Sequence, residues 1–242
     1  NVEDVEEVIF EGSTIPVEDS TIVDESETPL KFKILSDSTV EVINDDSYRD
    51  ALIDTIPIPS KVRIDDKVYD VTSIGNFAFV RCRSLTNINI PESVTSIGHG
   101  TFYDCSGLTS INIPKGVTRI GESVFVGCSG LTSINISSSI KSITDSTFAY
   151  CSSLTSIKIP EEVTSIGDDA FYGCSGLASI NIPEGVTYIG YSAFSGCSSL
   201  TSISIPESVK SIVAGAFDGC SSLEPRLLVY DNGTKCYGWI GS

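Results

Sequence analysis

Hydrophobic positions recur along most of this chain at a fixed spacing of 23 residues. Phenylalanine follows the spacing at Phe79, Phe102, Phe125, Phe148, Phe171, Phe194 and Phe217. Cysteine follows it at Cys82, Cys105, Cys128, Cys151, Cys174, Cys197 and Cys220. Leucine does so from Leu85 to Leu223, and isoleucine from Ile74 to Ile212. A fixed period without gaps predicts coils of equal length stacked in one direction, each sealing the core of its neighbours.

Each repeat begins with an alternating segment that predicts a short strand. In the unit starting at Leu108, the side chains of Leu108, Ile111 and Ile113 are expected to point inward. Ser110 and Asn112 alternate with them and are expected to point outward. We call the outward residues of these strands the strand face.

The rest of the repeat turns the chain back to the next strand. Pro114 should end the first strand because proline cannot donate to a continuing ladder. A second extended piece is expected from Val117 to Ile120, and Gly121 then allows a tight bend. The segment around Phe125 is predicted to form one helical or 3₁₀ turn that places its ring in the core.

The Leu-x-x-Ile-x-Ile-Pro, Val-Thr-x-Ile-Gly and Ala-Phe-x-x-Cys blocks resemble the BspA-like, Treponema-type leucine-rich repeats, over about residues 68–223. The resemblance implies a leucine-rich-repeat solenoid, which we expect to be right-handed and β-rich, with short 3₁₀ or helical turns and β-hairpin caps. It also implies a protein of bacterial cell surfaces, since members of that family are found there and some are adhesins for host matrix or plasma proteins. A binding role is thus implied by the resemblance, not by the periodicity.

The two ends of the repeat array differ from its middle. Residues 30–70 contain two pairs of alternating segments and are predicted to be an N-terminal cap of β-hairpins, with Ser36–Ser38 and Asp65–Asp66 as turns. The solenoid is expected over 71–223, and residues 1–29 are interpreted as an acidic arm or linker. The sequence over 224–242 predicts a β-hairpin that caps the C-terminal end, with its turn at Asn232–Gly233 and Trp239 covering the last open face of the core. We expect this sequence to be cut from a longer natural chain.

The negative charge of the chain limits the kinds of macromolecule that it can bind. The net charge is −17, and residues 1–70 carry 19 acidic and 6 basic side chains. An acidic surface of this kind repels phosphate backbones, so we expect no nucleic-acid partner. The absence of an apolar run of about 18 residues argues against membrane insertion. An extracellular or cell-surface location is expected, with the signal or anchor segment outside this sequence.

The cysteine column raises three alternatives, which are buried free thiols, disulfides and a metal site. Parallel side chains on adjacent coils favour stacked free thiols, and the ligand pairs that zinc sites need are missing. Cys236 lies off the column, and its state stays open. We predict neither a metal nor another cofactor.

Catalysis has little support in the sequence. The only histidine, His99, stands in a Gly-His-Gly turn, and the many Ser and Thr residues have no evident base partner. We therefore expect a binding protein and not an enzyme. The alternative from another class is a structural spacer that presents a further domain.

Two surfaces are candidate binding sites for a protein or glycan ligand. The first is the strand face, whose small polar side chains are Asn87, Asn89, Ser110, Asn112, Ser133, Asn135, Ser156, Lys158, Ser179, Asn181, Ser202 and Ser204. The second is an edge where Tyr150, Tyr172 and Tyr191 vary between repeats and could form an aromatic patch. For both surfaces the alternative is that the residues serve only strand formation, solubility or local cover.

Overall fold

The computed structural model describes residues 22–45 and 54–223. Several predictions for the ends of the chain fall outside these ranges: residues 1–21 of the arm or linker, the C-terminal hairpin, the shielding by Trp239 and the state of Cys236.

Short strands make up nearly all of the regular structure in the described residues. A 3₁₀ helix spans Glu25–Glu27. The strands are β1 (Ile22–Asp24), β2 (Lys31–Ile34), β3 (Thr39–Ile43), β4 (Thr55–Pro57), β5 (Lys61–Ile64), β6 (Lys67–Ile74), β7 (Asn87–Asn89), β8 (Ser96–Ile97), β9 (Ser110–Asn112), β10 (Arg119–Ile120), β11 (Ser133–Asn135), β12 (Ser142–Ile143), β13 (Ser156–Lys158), β14 (Ser165–Ile166), β15 (Ser179–Asn181), β16 (Tyr188–Ile189), β17 (Ser202–Ser204) and β18 (Ser211–Ile212).

Two antiparallel hairpins stand at the N-terminal end, β2 with β3 and β5 with β6. The second turns at Asp65 and Asp66, both left-handed with φ of 46° and 62°, as a two-residue hairpin turn requires. Strand β1 adds to the edge of this hairpin by pairing in parallel with β5. Ile22–Asp24, inside the segment interpreted as an arm, is therefore paired into the sheet.

Strand β6 connects the hairpins to the repeats. Its first half pairs antiparallel with β5, whereas Ser73 and Ile74 pair in parallel with Ser96 and Ile97 of β8. Strand β3 lies parallel to β6 on the other side. The hairpin sheet thus runs directly into one strand column of the solenoid, and its buried residues Val40, Val42 and Val62 join the common core.

Strand β4 occupies the strand-face column one coil earlier. Ile56 of β4 is the parallel partner of Ile88 in β7, 32 positions on instead of 23. The β5–β6 hairpin lies within this interval, which is why the interval is longer than the 23-residue period.

Each regular coil has three sides, which are a first strand, a second strand and a turn segment. The first strand has three residues and the second has two, both shorter than expected. The first is short because the amide of Leu108 already donates to the Cys105 carbonyl at 3.1 Å, closing the preceding turn.

The turn segment differs from the predicted 3₁₀ or helical turn. Its i+3→i hydrogen bonds, such as Cys128 N–H to Phe125 O at 3.1 Å, are of the 3₁₀ type. Left-handed residues interrupt them, with Ser123 at φ 59° and Gly127 at φ 73°, so the segment is a chain of tight turns. Alternate amides then donate to the next coil, for example Phe125 N–H to Thr147 O at 2.9 Å.

The predicted inner stack of phenylalanines is present. Seven rings from Phe79 to Phe217 lie nearly parallel, with successive centroids 5.2 to 5.6 Å apart. The ring of Phe148 is 1 % exposed, and those of Phe125 and Phe171 on either side are fully buried. This stack forms a continuous spine beneath the turn segments.

The cysteine column is buried as predicted, and its seven thiols are free. Each thiol from Cys105 onward donates to the carbonyl of a phenylalanine 26 residues earlier, at 3.0 to 3.2 Å. The Sγ of Cys151, for example, is 3.2 Å from the oxygen of Phe125. The column therefore ties each turn to the preceding one without a covalent bond.

Both strand ladders are interrupted at the repeat over 131–153. The first-strand ladder divides into β4–β7, β9–β11 and β13–β15–β17, so it has a further break between β7 and β9. The second-strand ladder ends at β10 and resumes as β12–β14–β16–β18. The turn segments stay bonded across this repeat, since Ser123 N–H donates to Asp145 O and Ser146 N–H to Asp168 O. The solenoid is therefore continuous on its turn side and locally opened on its strand sides.

Candidate functional site

The strand face has the orientation that the alternation predicted. In β7, β9, β13 and β15 the central isoleucine is buried and the residues on both sides are exposed. The exposed positions are Asn87, Asn89, Ser110, Asn112, Ser156, Lys158, Ser179 and Asn181. Ser133 and Asn135 of β11 are also exposed, as are Ser202 and Ser204 of β17.

A groove of 710 Å³ lies along one margin of the strand face. Asn112, Asn135 and Lys158 line it, so three of the predicted site residues on consecutive coils come together there. The side-chain amide of Asn135 donates to Oδ1 of Asn112 at 2.6 Å, which holds the two amides in line. Lys115 also lines the groove and adds a second ammonium group. The other charged lining residues are acidic, and they are Glu92, Glu161 and Glu162.

The groove lies where the first-strand ladder breaks between β11 and β13. Ile134, the central residue of β11, is only half-buried, whereas Ile111 before it and Ile157 after it are buried. This repeat also carries Ser137 where the repeats around it carry proline. The groove therefore offers apolar surface beside amide, ammonium and carboxylate groups.

The tyrosine edge is brought together only in part. The rings of Tyr150 and Tyr172 meet edge to face with centroids 5.2 Å apart, as their positions on adjacent coils suggested. Tyr191 instead lies beside Asp168, whose Oδ1 accepts its backbone N–H at 2.7 Å. The hydroxyl of Tyr188 is 3.4 Å from the same oxygen.

These tyrosines are open to solvent, with Tyr150 53 %, Tyr188 38 % and Tyr191 54 % exposed. Partial burial, followed by the nearby Tyr172, raises the pKa of Tyr150. Partial burial and then Asp168 raise the pKa of Tyr188. Burial, then the charges of Asp168 and Asp145, raises the pKa of the Asp169 carboxyl. The tyrosines therefore stand among carboxylates that repel one another.

We define the turn edge as the turn segments over 121–130, 144–153, 167–176, 190–199 and 213–222. It carries five carboxylates, at Glu122, Asp145, Asp168, Asp169 and Asp218, and no Lys, Arg or His. The earlier turn segments differ, because Asp104 there lies 3.8 Å from Arg81 and 3.9 Å from Arg83.

His99 lines a second groove, of 590 Å³, with Glu122 and Ser142. Its ring packs edge-on to Phe77 at 5.1 Å between centroids. None of the ion pairs in the described residues joins it to Glu122. Across residues 22–45 and 54–223 no group of three or more His, Cys, Asp or Glu side chains is arranged to hold a metal ion. No helix in those same ranges is long and apolar enough to cross a bilayer.

Two features of these surfaces were not foreseen from the sequence. One is the groove, whose signal was the Ser137–Ser138–Ser139 run in place of the usual Pro-x-Gly or Pro-x-Ser. The other is the one-sided charge of the turn edge, which becomes visible only when residues 23 apart are placed side by side.

Comparison with known proteins agrees with this architecture. The family model described as BspA type leucine rich repeat region matches residues 72–198 and 141–229, in six copies. A leucine rich repeat protein of T. pallidum is 30 % identical over 80 % of this chain and 87 % of its own, with a TM-score of 0.72. A leucine rich cell surface protein of Faecalibacterium prausnitzii is 27 % identical over 80 % of this chain and 67 % of its own, with a TM-score of 0.58. The curated proteins gave no match.

Proposed function

The chain belongs to the BspA-type leucine-rich repeat family, and from that premise we propose that it is a secreted or cell-surface adhesion module. Its ligand is a protein or glycan held against the strand face. A structural likeness supports the location, since one similar protein is described as a leucine rich cell surface protein.

The groove at Asn112, Asn135 and Lys158 is the observation that carries the proposal. Its amides and ammonium groups can donate to carbonyl, carboxylate or sugar oxygens of a ligand. The half-buried Ile134 beneath them supplies apolar contact. A concave surface with a few convergent polar groups is the usual form of a binding site.

The proposal is tested by measuring capture of human plasma proteins, matrix proteins and arrayed glycans on the immobilised chain. The binding variant is Asn135→Ala/Lys158→Ala. The control is Lys210→Ala/Ser211→Ala, which also removes one exposed lysine and one small polar side chain, from the second-strand side.

We expect at least one plasma, matrix or glycan ligand to be retained. The strand-face variant should weaken it by about tenfold, the equivalent of losing one or two good polar contacts. The control should bind as the parent does. Equal binding by parent and strand-face variant, or no retained ligand, would exclude the strand face as the site.

A further inference from the structure

The turn edge combines exposed aromatic rings with unbalanced negative charge. Tyr150 and Tyr172 form a pair, and Asp169 lies close enough to Tyr150 to affect its pKa. Oδ1 of Asp168 accepts hydrogen bonds from the phenol of Tyr188 and from the backbone N–H of Tyr191. These six residues therefore form one connected surface across three consecutive coils.

The carboxylates of this surface are held by the fold but not neutralised by it. Oδ1 of Asp145 accepts the backbone N–H of Asp168 at 2.9 Å, and Oδ1 of Asp168 accepts that of Tyr191 at 2.7 Å. No basic residue stands on the turn edge. The side chains are thus fixed in place while their charge remains available to a partner.

Tyr150 occupies a position that folding alone does not favour. It is left-handed with φ 61°, and the equivalent positions in the next three coils are Gly173, Gly196 and Gly219. A tyrosine in this conformation is strained compared with glycine. Its ring is 53 % exposed, so it contributes little to the core in return.

The chemistry of a ligand for the turn edge follows from charge complementarity. Lysine and arginine side chains bind over the faces of tyrosine rings within about 6 Å and pair with carboxylates. Adjacent coils repeat at close to the 5.2 to 5.6 Å separation of the phenylalanine centroids. Successive same-side residues of an extended peptide are about 6.5–7 Å apart, so one strand crossing the coils can place a basic side chain at nearly every coil.

We propose that the turn edge is a second binding surface, for an extended Lys/Arg-rich segment of a partner protein, with Tyr150, Asp168 and Tyr191 among its contacts. It uses a different side of each coil from the strand face, so either surface can be lost without the other.

The test is fluorescence anisotropy with a labelled twelve-residue peptide of alternating Arg and Gly, and a Glu-Gly peptide as the negative probe. Asp168→Asn/Asp169→Asn keeps an oxygen acceptor at both positions and tolerates the left-handed φ of 54° at Asp169. Glu184→Gln/Glu207→Gln is the matched control, because it removes the same two charges from exposed residues outside the turn edge. Circular dichroism shows whether each variant is folded.

The Asp168/Asp169 variant should bind the Arg-Gly peptide about tenfold more weakly, and the control within about twofold of the parent. Tyr150→Asn/Tyr191→Ala, which leaves the charge unchanged, should weaken binding about fivefold even at 0.3 M salt, where surface charges are screened. Equal weakening by the two double charge variants would mean that only net charge attracts the peptide. That result, or no binding by the parent, would overturn the proposal.

Discussion

The cysteine column shows how one residue type can serve the fold without reacting. Burial raises the pKa of Cys128 and Cys174 to about 12, and it raises that of Cys151 well above its ordinary value. Each of these thiols also donates to a phenylalanine carbonyl of an earlier turn. The burial of these cysteines as free thiols could be predicted from the 23-residue spacing. The phenylalanine carbonyl that each thiol bonds could not be predicted, because it depends on the exact offset between neighbouring coils.

These thiols should be inert in the folded protein. In a Cys236→Ser variant we expect no thiol to react with Ellman's reagent within minutes at pH 8, because almost no thiolate is present and the sulfur atoms are covered. Addition of guanidinium should release seven reactive thiols. Rapid reaction of several thiols in the native protein would contradict the buried ladder.

Turn residues explain where the sequence-based interpretation of the tyrosines succeeded and where it fell short. Tyr150 and Tyr172 are 22 positions apart, one less than the period, and their contact followed from that number. Tyr191 was grouped with them, yet it lies five positions earlier in its repeat than the Tyr150 site and contacts Asp168 instead. Where along the turn a residue lies thus decides its neighbours as much as the coil that holds it.

At the scale of elements, the repeat over 131–153 is the one at which both strand ladders break in the described part of the chain. The amide of Ala178 donates to Thr155 O at 3.0 Å and that of Gly167 to Ile143 O at 2.8 Å. In the described part of the chain no such bond joins Thr155 N–H to Thr132 O or Thr144 N–H to Ile120 O. The ladder therefore lacks support on both sides of this repeat, where the two grooves lie.

Amide hydrogen exchange tests this local opening. We expect the amides of Thr155 and Thr144 to exchange at least about tenfold faster than those of Ala178 and Gly167, because the latter pair is protected by ladder bonds. Two-dimensional NMR on the labelled chain gives the four rates in one experiment. Equal protection at all four amides would mean that the ladders are continuous.

The N-terminal strands show the limit of periodic reasoning. Both hairpins follow from alternation and turn residues, and both are present. Strand β4 was not predicted, because the β5–β6 hairpin lengthens its interval to the next coil from 23 to 32 residues and removes the phase. A pattern that relies on constant spacing cannot register an insertion, although Ile56 packs in the core like its later equivalents.

At the scale of the whole molecule, the repeats arrange surfaces that differ in chemistry. The strand face is polar and nearly uncharged, whereas the turn edge carries five acidic residues and no basic ones. The family and the stacked fold could be predicted from the columns of identical residues. The groove could not, because it arises where two ladders separate, and that separation depends on backbone geometry and not on residue type alone.

All of these surfaces depend on the continuous stack, so the most direct measurement is urea unfolding of Phe148→Ala, with Phe77→Ala as the control. The buried Phe148 ring lies 5.5 Å from that of Phe125 and 5.3 Å from that of Phe171, whereas Phe77 is 39 % exposed. We predict that Phe148→Ala lowers the free energy of unfolding by about 3–5 kcal/mol, and Phe77→Ala by roughly 1 kcal/mol or less. If Phe148→Ala lowers the free energy of unfolding by less than about 1 kcal/mol, the result would contradict a core in which each coil is covered by its neighbours.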